Sequence, residues 1–567
     1  MTDYEIKYQS WCLEPTLPES MKDELKSIKG DLVEQELRFG QVIPFGTAGM
    51  RGLMGAGTNR MNIYTVCRAA RGLGTWLLSS GEAKRCAIAY DSRHNSQLFA
   101  EICAGALAEQ GIEVFLYHML APTPMLSFAV RYLKCGCGIV ISASHNDGRY
   151  NGMKCYGPDG CQMTDEPAAL VFEKILDTPL FEKPVPDIKD ALNSGLVSYI
   201  DNTVWKAYYS AVLSQRVGIE ITPDNMPKIL YTPLNGTGNI PVRHILSELG
   251  IEAEIVKVQE EPDGDFTTCP YPNPETDEAL KEAYLAAESC HPDLIIGTDP
   301  DADRVAVAAA TEKGWRKFSG NELGCLLLDF ILRHSKISPE SEIVRSIVSS
   351  PLADRIAAEY GCKAVSVLTG FKYIGGEILR LEQQGKEENF LFGFEESCGY
   401  LKGSYARDKD AVVASMLVCE LAAWCKANGK TLAMQMDEIY NRYGFYKAGV
   451  KSVEMAGLEG PAKIASFVDS LRSDPAVSFC GSRIIRSVDY RSGESMDRSS
   501  GAVAPTNLPS SNVYELDLED LSTVIVRPSG TEPKLKIYYS AVGKTAEAAQ
   551  DRVDVLNAEM TARLEKI

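Results

Sequence analysis

The sequence predicts an α/β fold with several domains, in which helices flank largely parallel sheets. The chain has 567 residues, and single hydrophobic cores stop growing near about 250–300 residues. A second observation is a pattern that occurs three times, around Gly111, Gly250 and Gly361: a helical stretch, a glycine, then a β-branched strand. Glycine supplies the left-handed residue that ends a helix, and alternating Val, Ile and Phe suit a strand. Three units of similar design are one interpretation; segments common to any α/β protein are the other.

Changes in the pattern predict where the domains meet. A helical stretch gives way to a proline-containing turn and a new strand near residue 206, and a second break falls near residue 315. A long helical pattern from Ala411 to Tyr443 then leads into a last segment of strands and a final helix. The predicted domains are therefore 1–205, 206–315, 316–440 and 441–567.

Charge and composition bound the partners. The hydrophobic fraction of 45% and charged fraction of 24% are ordinary for a globular protein. A net charge of −19 argues against nucleic acid or an anionic membrane as the main partner. Anionic small molecules remain open, because a few Arg, Lys and backbone N–H groups can form a basic pocket in an acidic protein.

The cysteines and the N-terminus indicate a reducing compartment. The sixteen cysteines form no C-x-x-C pair, so we expect small buried hydrophobic residues rather than zinc ligands. The N-terminal segment is polar, and no apolar run approaches the about 18–20 residues that a membrane span needs. We expect a soluble, cytoplasmic protein without a membrane partner.

The clearest metal pattern is DLIIGTDPDADRVAVA, in which Asp299, Asp301 and Asp303 lie between two apolar strands. Pro300 makes a regular helix unlikely there. Three carboxylates on one loop are suited to a hard cation such as Mg²⁺, and without one they would repel each other. The alternative is a solvated acidic turn. Protein-bound Mg²⁺ keeps positions for phosphate oxygens, which favours phosphoryl chemistry.

Two further polar segments follow apolar strands. In VIVRPSGTEPK, Arg527 precedes Ser529, Gly530 and Thr531, a set that can surround a phosphate or can simply form a polar turn. In NFLFGFEESCGY, Glu395 and Ser397 could bind sugar hydroxyls, or the glutamates could be solvated. The nearby cations are Arg407 and Lys409.

Ser144 follows the apolar run Ile139–Ile141 and precedes His145. A G-x-S-x-G elbow is excluded, because Ser142 and Asn146 stand where glycines would be needed. A polar turn is one interpretation. The other is a phosphoserine, for which a carboxylate-bound Mg²⁺ would neutralise charge during transfer.

Four motifs occur in order, SASHND, GTDPDADR, GFEESCG and RPSGTEPK, and FGTAGMRG, YDSRHNS, PDGDFTTCPYPNPE and LTGFKYIGG accompany them. With these motifs, from Phe45 to Tyr539, the chain resembles the α-D-phosphohexomutase superfamily (phosphoglucomutase/phosphomannomutase), and most of all its bacterial α-phosphoglucomutase branch. The resemblance implies four domains around a central cleft: three similar mixed α/β sheet domains and a smaller C-terminal α+β domain. In chain order they would carry the phosphoserine, the metal, the sugar site and a phosphate site.

The resemblance also implies roles for matched residues. Ser144 would be the phosphoserine and, with Asp299, Asp301 and Asp303, would hold Mg²⁺. The residues around the reacting phosphoryl group would be His145, Lys154, Arg304 and Lys409. The substrate-binding residues would be Arg51, Thr369, Gly370, Glu395, Ser397, Arg407, Arg527, Ser529, Gly530 and Thr531. The implied reaction interconverts α-D-glucose 1-phosphate and glucose 6-phosphate through glucose 1,6-bisphosphate, by a monomer or homodimer.

Two residues depart from the family pattern. Asp147 stands where proline is common, which adds negative charge near Ser144, and Arg149 is a candidate to compensate it. Asn235 stands where many members have histidine, which removes a candidate proton carrier. Mannose or pentose phosphates are alternative substrates. A non-catalytic phosphosugar-binding protein and a serine phosphotransferase or phosphatase are alternatives of other classes.

Overall fold

The computed structural model describes residues 1–46, 49–455, 459–474, 476–528 and 534–566. Within these residues there are three mixed α/β sheets, of six, five and four strands, followed by an eight-stranded sheet. The predicted class, three similar α/β domains and a C-terminal α+β domain, is confirmed.

The first unit has a six-stranded sheet in the order β1-β5-β4-β2-β3-β6. Its elements are α1 (Asp3–Leu13), α2 (Glu19–Ser27), α3 (Leu32–Phe39), β1 (Met50–Leu53), α4 (Ile63–Ser80), β2 (Arg85–Tyr90), α5 (Ser96–Ala108), β3 (Glu113–Leu116), α6 (Thr123–Tyr132), β4 (Cys137–Ile141), β5 (Tyr150–Tyr156), α7 (Asp165–Asp177), α8 (Ile188–Asn193), β6 (Val197–Tyr199) and α9 (Asn202–Leu213). The first three helices join this unit through Trp11, whose ring contacts Phe39 and Tyr64 edge-on at 5.8 Å.

The second unit has a five-stranded sheet in the order β11-β10-β9-β7-β8. Its elements are β7 (Ile229–Thr232), α10 (Asn239–Glu248), β8 (Glu254–Ile255), two short 3₁₀ helices (Lys257–Gln259 and Glu278–Leu280), α11 (Lys281–Cys290), β9 (Leu294–Thr298), β10 (Val305–Thr311) and β11 (Gly314–Lys317).

The third unit has a four-stranded sheet in the order β13-β12-β14-β15. Its elements are α12 (Gly320–His334), β12 (Glu342–Ser346), α13 (Leu352–Glu359), β13 (Lys363–Val367), α14 (Phe371–Gln383), a 3₁₀ helix (Glu387–Asn389), β14 (Phe390–Glu395), β15 (Gly399–Lys402), α15 (Ala411–Ala427) and α16 (Leu432–Tyr443).

The three units share one topology. In each, a central strand pairs in parallel with two neighbours, and the second neighbour, β4, β9 or β14, pairs with an antiparallel partner that follows it in the chain. The repeated helix–glycine–strand segments lead into β3, β8 and β13, the other neighbours of those central strands. Gly111, Gly250 and Gly361 have φ values of 77°, 76° and 70°, the left-handed conformation expected after a helix.

The last unit is an antiparallel sheet with helices on it. Its elements are β16 (Phe445–Glu454), α17 (Gly460–Ser473), β17 (Ser478–Phe479), β18 (Ser482–Asp489), β19 (Glu494–Asp497), β20 (Val503–Pro505), β21 (Tyr514–Leu518), β22 (Thr523–Pro528), β23 (Lys534–Gly543) and α18 (Ala546–Leu564). A hydrophobic cluster that includes Ile347, Leu368, Val488 and Tyr538 joins this sheet to the third unit.

Burial agrees with the expectation for the cysteines, since all but Cys12, Cys290 and Cys480 are buried. One core cluster continues through the first three units and includes Ala87, Ile229 and Leu323. Within the described residues no single helix is long and apolar enough to cross a membrane. By length and composition alone, α15 and α16 meet that criterion as a pair bent by 84°.

Candidate active site

Ser144 lies in the turn between β4 and β5, and the backbone there is strained. Its φ is 52°, a left-handed value that costs a residue other than glycine of the order of 1–3 kcal/mol. The Ser144 N–H donates to Ser142 Oγ at 2.8 Å, which holds this conformation. The Ser144 side chain is consequently fixed where the strand emerges, with its Oγ 3.2 Å from His145 Nδ1.

The three aspartates occupy the turn between β9 and β10, the matching position in the second unit. Asp299, Asp301 and Asp303 are all buried, and one carboxylate oxygen of each lies within 4.8 Å of the others. Asp299 Oδ1 accepts from the N–H groups of Asp303 and Arg304 at 3.1 and 3.0 Å, which shapes the turn. Ser144 Oγ donates to Asp299 Oδ2 at 3.0 Å. The two predicted clusters therefore form one site across two units.

The electrostatics of this turn favour a bound cation. Burial, with the charges of Asp303 and Asp301, raises the pKa of Asp299 well above its usual range. Asp301 Oδ1 and Asp303 Oδ1 are buried and, among the described residues, accept no hydrogen bond. Buried carboxylate oxygens without a donor are costly, and a hard cation satisfies them. The donor set fits a divalent metal ion with oxygen ligands.

Two lysines place positive charge on the same aspartates. Lys154, on β5, reaches Asp301 Oδ2 at 2.5 Å and Asp303 Oδ2 at 3.2 Å. Lys409 Nζ lies 3.0 Å from Asp303 Oδ2. Burial raises the pKa of Asp301, but Lys154 outweighs it and holds that pKa below its usual range. Burial lowers the pKa of each lysine, yet the aspartates raise both pKa values above the usual range, so both lysines are charged.

Three more predicted residues surround the Ser144 turn. Arg51 Nη1 donates to Asn146 Oδ1 at 2.9 Å. Arg304 Nη1 donates to Glu275 Oε1 at 2.6 Å, and its Nε lies 3.8 Å from Asp303 Oδ1. Burial, with the charges of Arg304 and Arg51, lowers the pKa of His145 to about 2. The imidazole is therefore neutral at neutral pH.

The third unit contributes the turn between β14 and β15. Glu395 is buried there, and its Oε1 accepts from the N–H of Gly370 at 2.7 Å. Burial and the neighbouring Glu396 raise the pKa of Glu395 to about 7. Ser397 lies in the same turn and is half-buried. The Thr369 hydroxyl is buried and has no hydrogen-bond partner among the described residues.

A cavity of about 300 Å³ connects this unit to the last sheet. It is lined by Thr369 and Gly370 from the third unit and by Arg527 from β22. Three of the four residues predicted to bind a phosphate, Ser529, Gly530 and Thr531, lie outside the described residues.

Arg407 is the one described candidate that does not reach this site. Its guanidinium is buried, forms an ion pair with Glu382 at 2.9 Å and donates to the carbonyls of Ser404 and Ala406. The backbone N–H of Arg407 donates to Ser127 Oγ at 2.8 Å. These contacts brace the segment that presents Lys409, and we leave Arg407 out of the site.

The two departures from the family pattern have distinct contacts. Asp147 pairs with Arg149, whose Nε and Nη2 donate at 3.0 and 2.9 Å and hold the pKa of Asp147 below its usual value. Asn235 donates through Nδ2 to the carbonyl of Glu261 at 2.7 Å, so it anchors a loop.

Three residues that the sequence did not single out also shape the site. Thr123, at the start of α6, donates from Oγ1 to Asp301 Oδ2 at 2.8 Å. Asp408 Oδ1 accepts from Lys409 Nζ at 3.1 Å. Arg93 donates to backbone carbonyls of the Ser144 turn. Arg93 lies inside the motif YDSRHNS and Asp408 stands between the two cations Arg407 and Lys409, so the sequence offered a signal for both; nothing in the sequence marks Thr123.

Family models match four consecutive parts of the chain. They are described as phosphoglucomutase/phosphomannomutase alpha/beta/alpha domains I, II and III, at residues 42–179, 206–314 and 319–443, and the C-terminal domain of the same family, at residues 513–558.

Curated relatives and solved structures extend over most of the chain. A phosphoglucomutase of Staphylococcus epidermidis is 37% identical over 511 residues, which covers 89% of this chain and 92% of that protein. A phosphoglucomutase of Staphylococcus aureus is 34% identical over 529 residues, covering 92% and 94%. The structure of parafusin (phosphoglucomutase) from Paramecium superposes with a TM-score of 0.67 at 17% identity, covering 93% of this chain and 98% of that one. A phosphoglucomutase/phosphomannomutase family protein from Burkholderia thailandensis gives 0.66 at 17%, covering 92% and 97%. At such identities these two structures support the fold alone.

Proposed function

The chain belongs to the phosphoglucomutase/phosphomannomutase family, and from that premise we propose how its residues interconvert α-D-glucose 1-phosphate and glucose 6-phosphate. It is an isomerase of the phosphosugar mutase type, whose curated relatives are phosphoglucomutases. In the proposed cycle a phosphorylated Ser144 and glucose 1,6-bisphosphate are the intermediates. We propose four domains close to the predicted limits 1–205, 206–315, 316–440 and 441–567, although these three boundaries fall inside α9, β11 and α16, which the structure keeps whole.

The observation that carries the mechanism is the contact between Ser144 and the aspartate turn. Ser144 Oγ lies 3.0 Å from Asp299 Oδ2, beside two further carboxylates, each with one buried oxygen that accepts no hydrogen bond from the part of the chain that the structure describes. We assign Asp299, Asp301, Asp303 and a phosphoserine oxygen as the ligands of Mg²⁺. When bound, the ion would neutralise charge on the phosphoryl group during transfer.

The transfer step exchanges one phosphate ester for another. As the phosphorus moves from Ser144 Oγ to a free sugar hydroxyl, the Oγ–P bond breaks and the sugar O–P bond forms. The proton of that hydroxyl ends on Ser144 Oγ. After the bisphosphate turns end for end, the reverse transfer of its other phosphate restores the phosphoserine and releases the isomer.

The cations around the turn have separate tasks in this proposal. Lys154 and Lys409 are charged and buried against the aspartates of the site, and the half-buried Arg304 lies beside Asp303, which suits all three to stabilise negative charge on the phosphoryl group. His145 Nδ1 lies 3.2 Å from Ser144 Oγ, so its neutral imidazole can accept a hydrogen bond from that hydroxyl and orient it, while the lowered pKa makes His145 a weak base.

The sugar and its distant phosphate would bind on the third and last units. Glu395 and Ser397 would accept and donate hydrogen bonds to sugar hydroxyls, and Thr369 and Gly370 would contact the same sugar. Arg527, with Ser529, Gly530 and Thr531, would hold the non-reacting phosphate. Arg51 would approach from the first unit. The pocket must bind the same bisphosphate in two opposite orientations and make equivalent contacts in each. Side chains contributed by several units suit this requirement.

The test is a panel of glucose, mannose and pentose 1-phosphates assayed with Mg²⁺ and a trace of glucose 1,6-bisphosphate. We expect the highest kcat/KM for glucose 1-phosphate. A higher kcat/KM for mannose 1-phosphate or a pentose 1-phosphate would make that sugar phosphate the preferred substrate instead. If none of these compounds is isomerised, the proposal is overturned.

A further inference from the structure

The guanidinium of Arg93 gathers the backbone of the Ser144 turn. Its Nη2 donates to the carbonyls of Ser144 and Asn146, and its Nη1 donates to the carbonyl of Asp147 at 2.8 Å and of Tyr150 at 3.2 Å. The Arg93 side chain is fully buried, and its Nε lies 3.2 Å from Asp91 Oδ2. One cation thus holds four carbonyls of a single turn.

The other face of that guanidinium is covered by the second unit. The centroid of the Phe266 ring lies 4.8 Å from Arg93 Cζ, in cation–π geometry, and Phe266 is completely buried. Phe266 has a φ of 50°, so its backbone is strained in the left-handed region. Such strain persists only where surrounding contacts maintain it.

The loop that presents Phe266 is anchored to the sheet of the second unit. Thr232, at the end of β7, donates to Gln259 Oε1 at 2.6 Å, and Gln259 Nε2 donates to Thr268 Oγ1 at 3.1 Å. The N–H of Asn235 donates to the carbonyl of Gln259 at 2.9 Å. Together with the Asn235 side chain, these bonds fix both ends of the loop.

The two units also approach closely at the backbone. A Cβ atom added to Gly148, in the Ser144 turn, would lie 2.7 Å from the Gly264 carbonyl oxygen. Next to this contact, His94 Nε2 lies 2.9 Å from Asp265 Oδ1, and both side chains are exposed. Beside the turn, the second unit therefore meets the first at a buried contact, between Phe266 and Arg93, and at an exposed one, between Asp265 and His94.

We propose that Arg93 and Phe266 are positioning residues. Through their contact, the second unit fixes the position of Ser144 relative to the three aspartates that the second unit carries. The inference rests on the proposed phosphoserine function. The nucleophile belongs to one unit and the carboxylates to another, so a rigid link between them is needed to keep Ser144 Oγ aligned for transfer. A misplacement of about 1 Å can cost about 100-fold in rate.

The experiment measures how fast glucose 1,6-bisphosphate phosphorylates Ser144 in a single turnover, by rapid quench and intact mass. Phe266→Leu removes the aromatic face and keeps an apolar side chain, and we expect the rate constant to fall about 10- to 100-fold. The KM for glucose 1-phosphate should stay within about threefold, since neither residue is placed on the sugar. Arg93→Lys retains the positive charge but loses the planar guanidinium that bonds several carbonyls. We expect it to lower the phosphorylation rate in the same way and to leave KM within the same limit.

Asp265→Asn is the matched control, because it weakens the neighbouring contact between the units and leaves Arg93 untouched. We expect wild-type values from it. Thermal unfolding midpoints give a temperature at which each variant is folded. If Phe266→Leu is not folded at any temperature, Phe266→Tyr, which keeps the ring, takes its place. That variant must retain the phosphorylation rate that Arg93→Lys loses. Absence of phosphate on the wild type would instead contradict the proposed function. A wild-type rate in folded Phe266→Leu or Arg93→Lys, or an equal loss in Asp265→Asn, would overturn this inference alone.

Discussion

The β4–β5 turn of the first unit and the β9–β10 turn of the second occupy the same place in sheets of the same topology, yet they carry opposite chemistry. The first presents a hydroxyl on a strained residue, Ser144; the second presents three buried carboxylates. Both turns contain a left-handed residue other than glycine, Ser144 in one and Ala302, with a φ of 50°, in the other. The shared topology therefore determines where polar groups emerge, and the side chains determine what they do.

The largest effect is expected from removing the Ser144 hydroxyl of the first turn. In Ser144→Ala no phosphoserine can form, and we expect turnover to fall by at least about 10⁴-fold, as for other nucleophiles. A coupled assay of glucose 6-phosphate formation measures it, with circular dichroism to confirm folding. Near-normal turnover in the folded variant would contradict the assignment of Ser144.

The next effect concerns the carboxylates of the second turn. Mg²⁺ at about 100 times its Kd should stabilise the wild type by about 2.7 kcal/mol, and EDTA should reverse the shift. Asp299→Asn should lose that response. Because the pKa of Asp299 is raised in the folded chain, stability is lost as the pH rises from the usual carboxyl pKa through that raised value. Metal-free Asp299→Asn should therefore be at least as stable as metal-free wild type at pH 7.

Thermal unfolding with and without Mg²⁺ measures this response. A shift in Asp299→Asn as large as in the wild type would place the metal elsewhere. Asp293→Asn is a matched control, since Asp293 precedes the same strand but is half-buried and forms an ion pair with Lys426. It should keep the full response to Mg²⁺.

A smaller effect extends the comparison to the third turn. Glu395 has a pKa of about 7, so its carboxylate, the proposed acceptor for sugar hydroxyls, is lost as the pH falls. We expect kcat/KM to fall by up to tenfold per pH unit below about 7. Glu395→Gln should lower kcat/KM by about 10- to 100-fold, the worth of a hydrogen bond to a charged group, and remove that dependence.

Glu396→Gln serves as its control, because Glu396 faces Ser346, which donates to it at 3.0 Å. The charge of Glu396 raises the pKa of Glu395, so this variant should keep the fall and move it to lower pH. An unchanged pH profile in Glu395→Gln would remove Glu395 from the sugar site.

The smallest effect is expected at Asp147, the acidic residue nearest to the nucleophile in sequence. Its charge is already paired by Arg149, a mostly exposed partner. Asp147→Asn should change the free energy of unfolding by less than about 1 kcal/mol and kcat by less than about threefold. A large gain in kcat, measured in the same coupled assay, would show that the pair does not neutralise Asp147.

Sequence patterns predicted the parts of this molecule that are local. The helix–glycine–strand segments needed only a cap and a β-branched strand, and the aspartate loop needed only its spacing. The contacts between units could not be predicted in this way: Thr123 binds Asp301 across 178 positions of the chain. Arg407 shows the opposite error, since a cation beside a motif was expected to face the substrate and is buried against Glu382 instead.

The central claim, that Ser144 on the first turn carries the phosphoryl group which the second turn stabilises, has one direct measurement. The wild type is incubated with glucose 1,6-bisphosphate and Mg²⁺, and its intact mass and peptides are analysed. We predict one added phosphoryl group, on the peptide that contains Ser144, and its loss on addition of glucose 1-phosphate. Isomerisation without any phosphate on Ser144, or with the phosphate on another residue, would contradict the account.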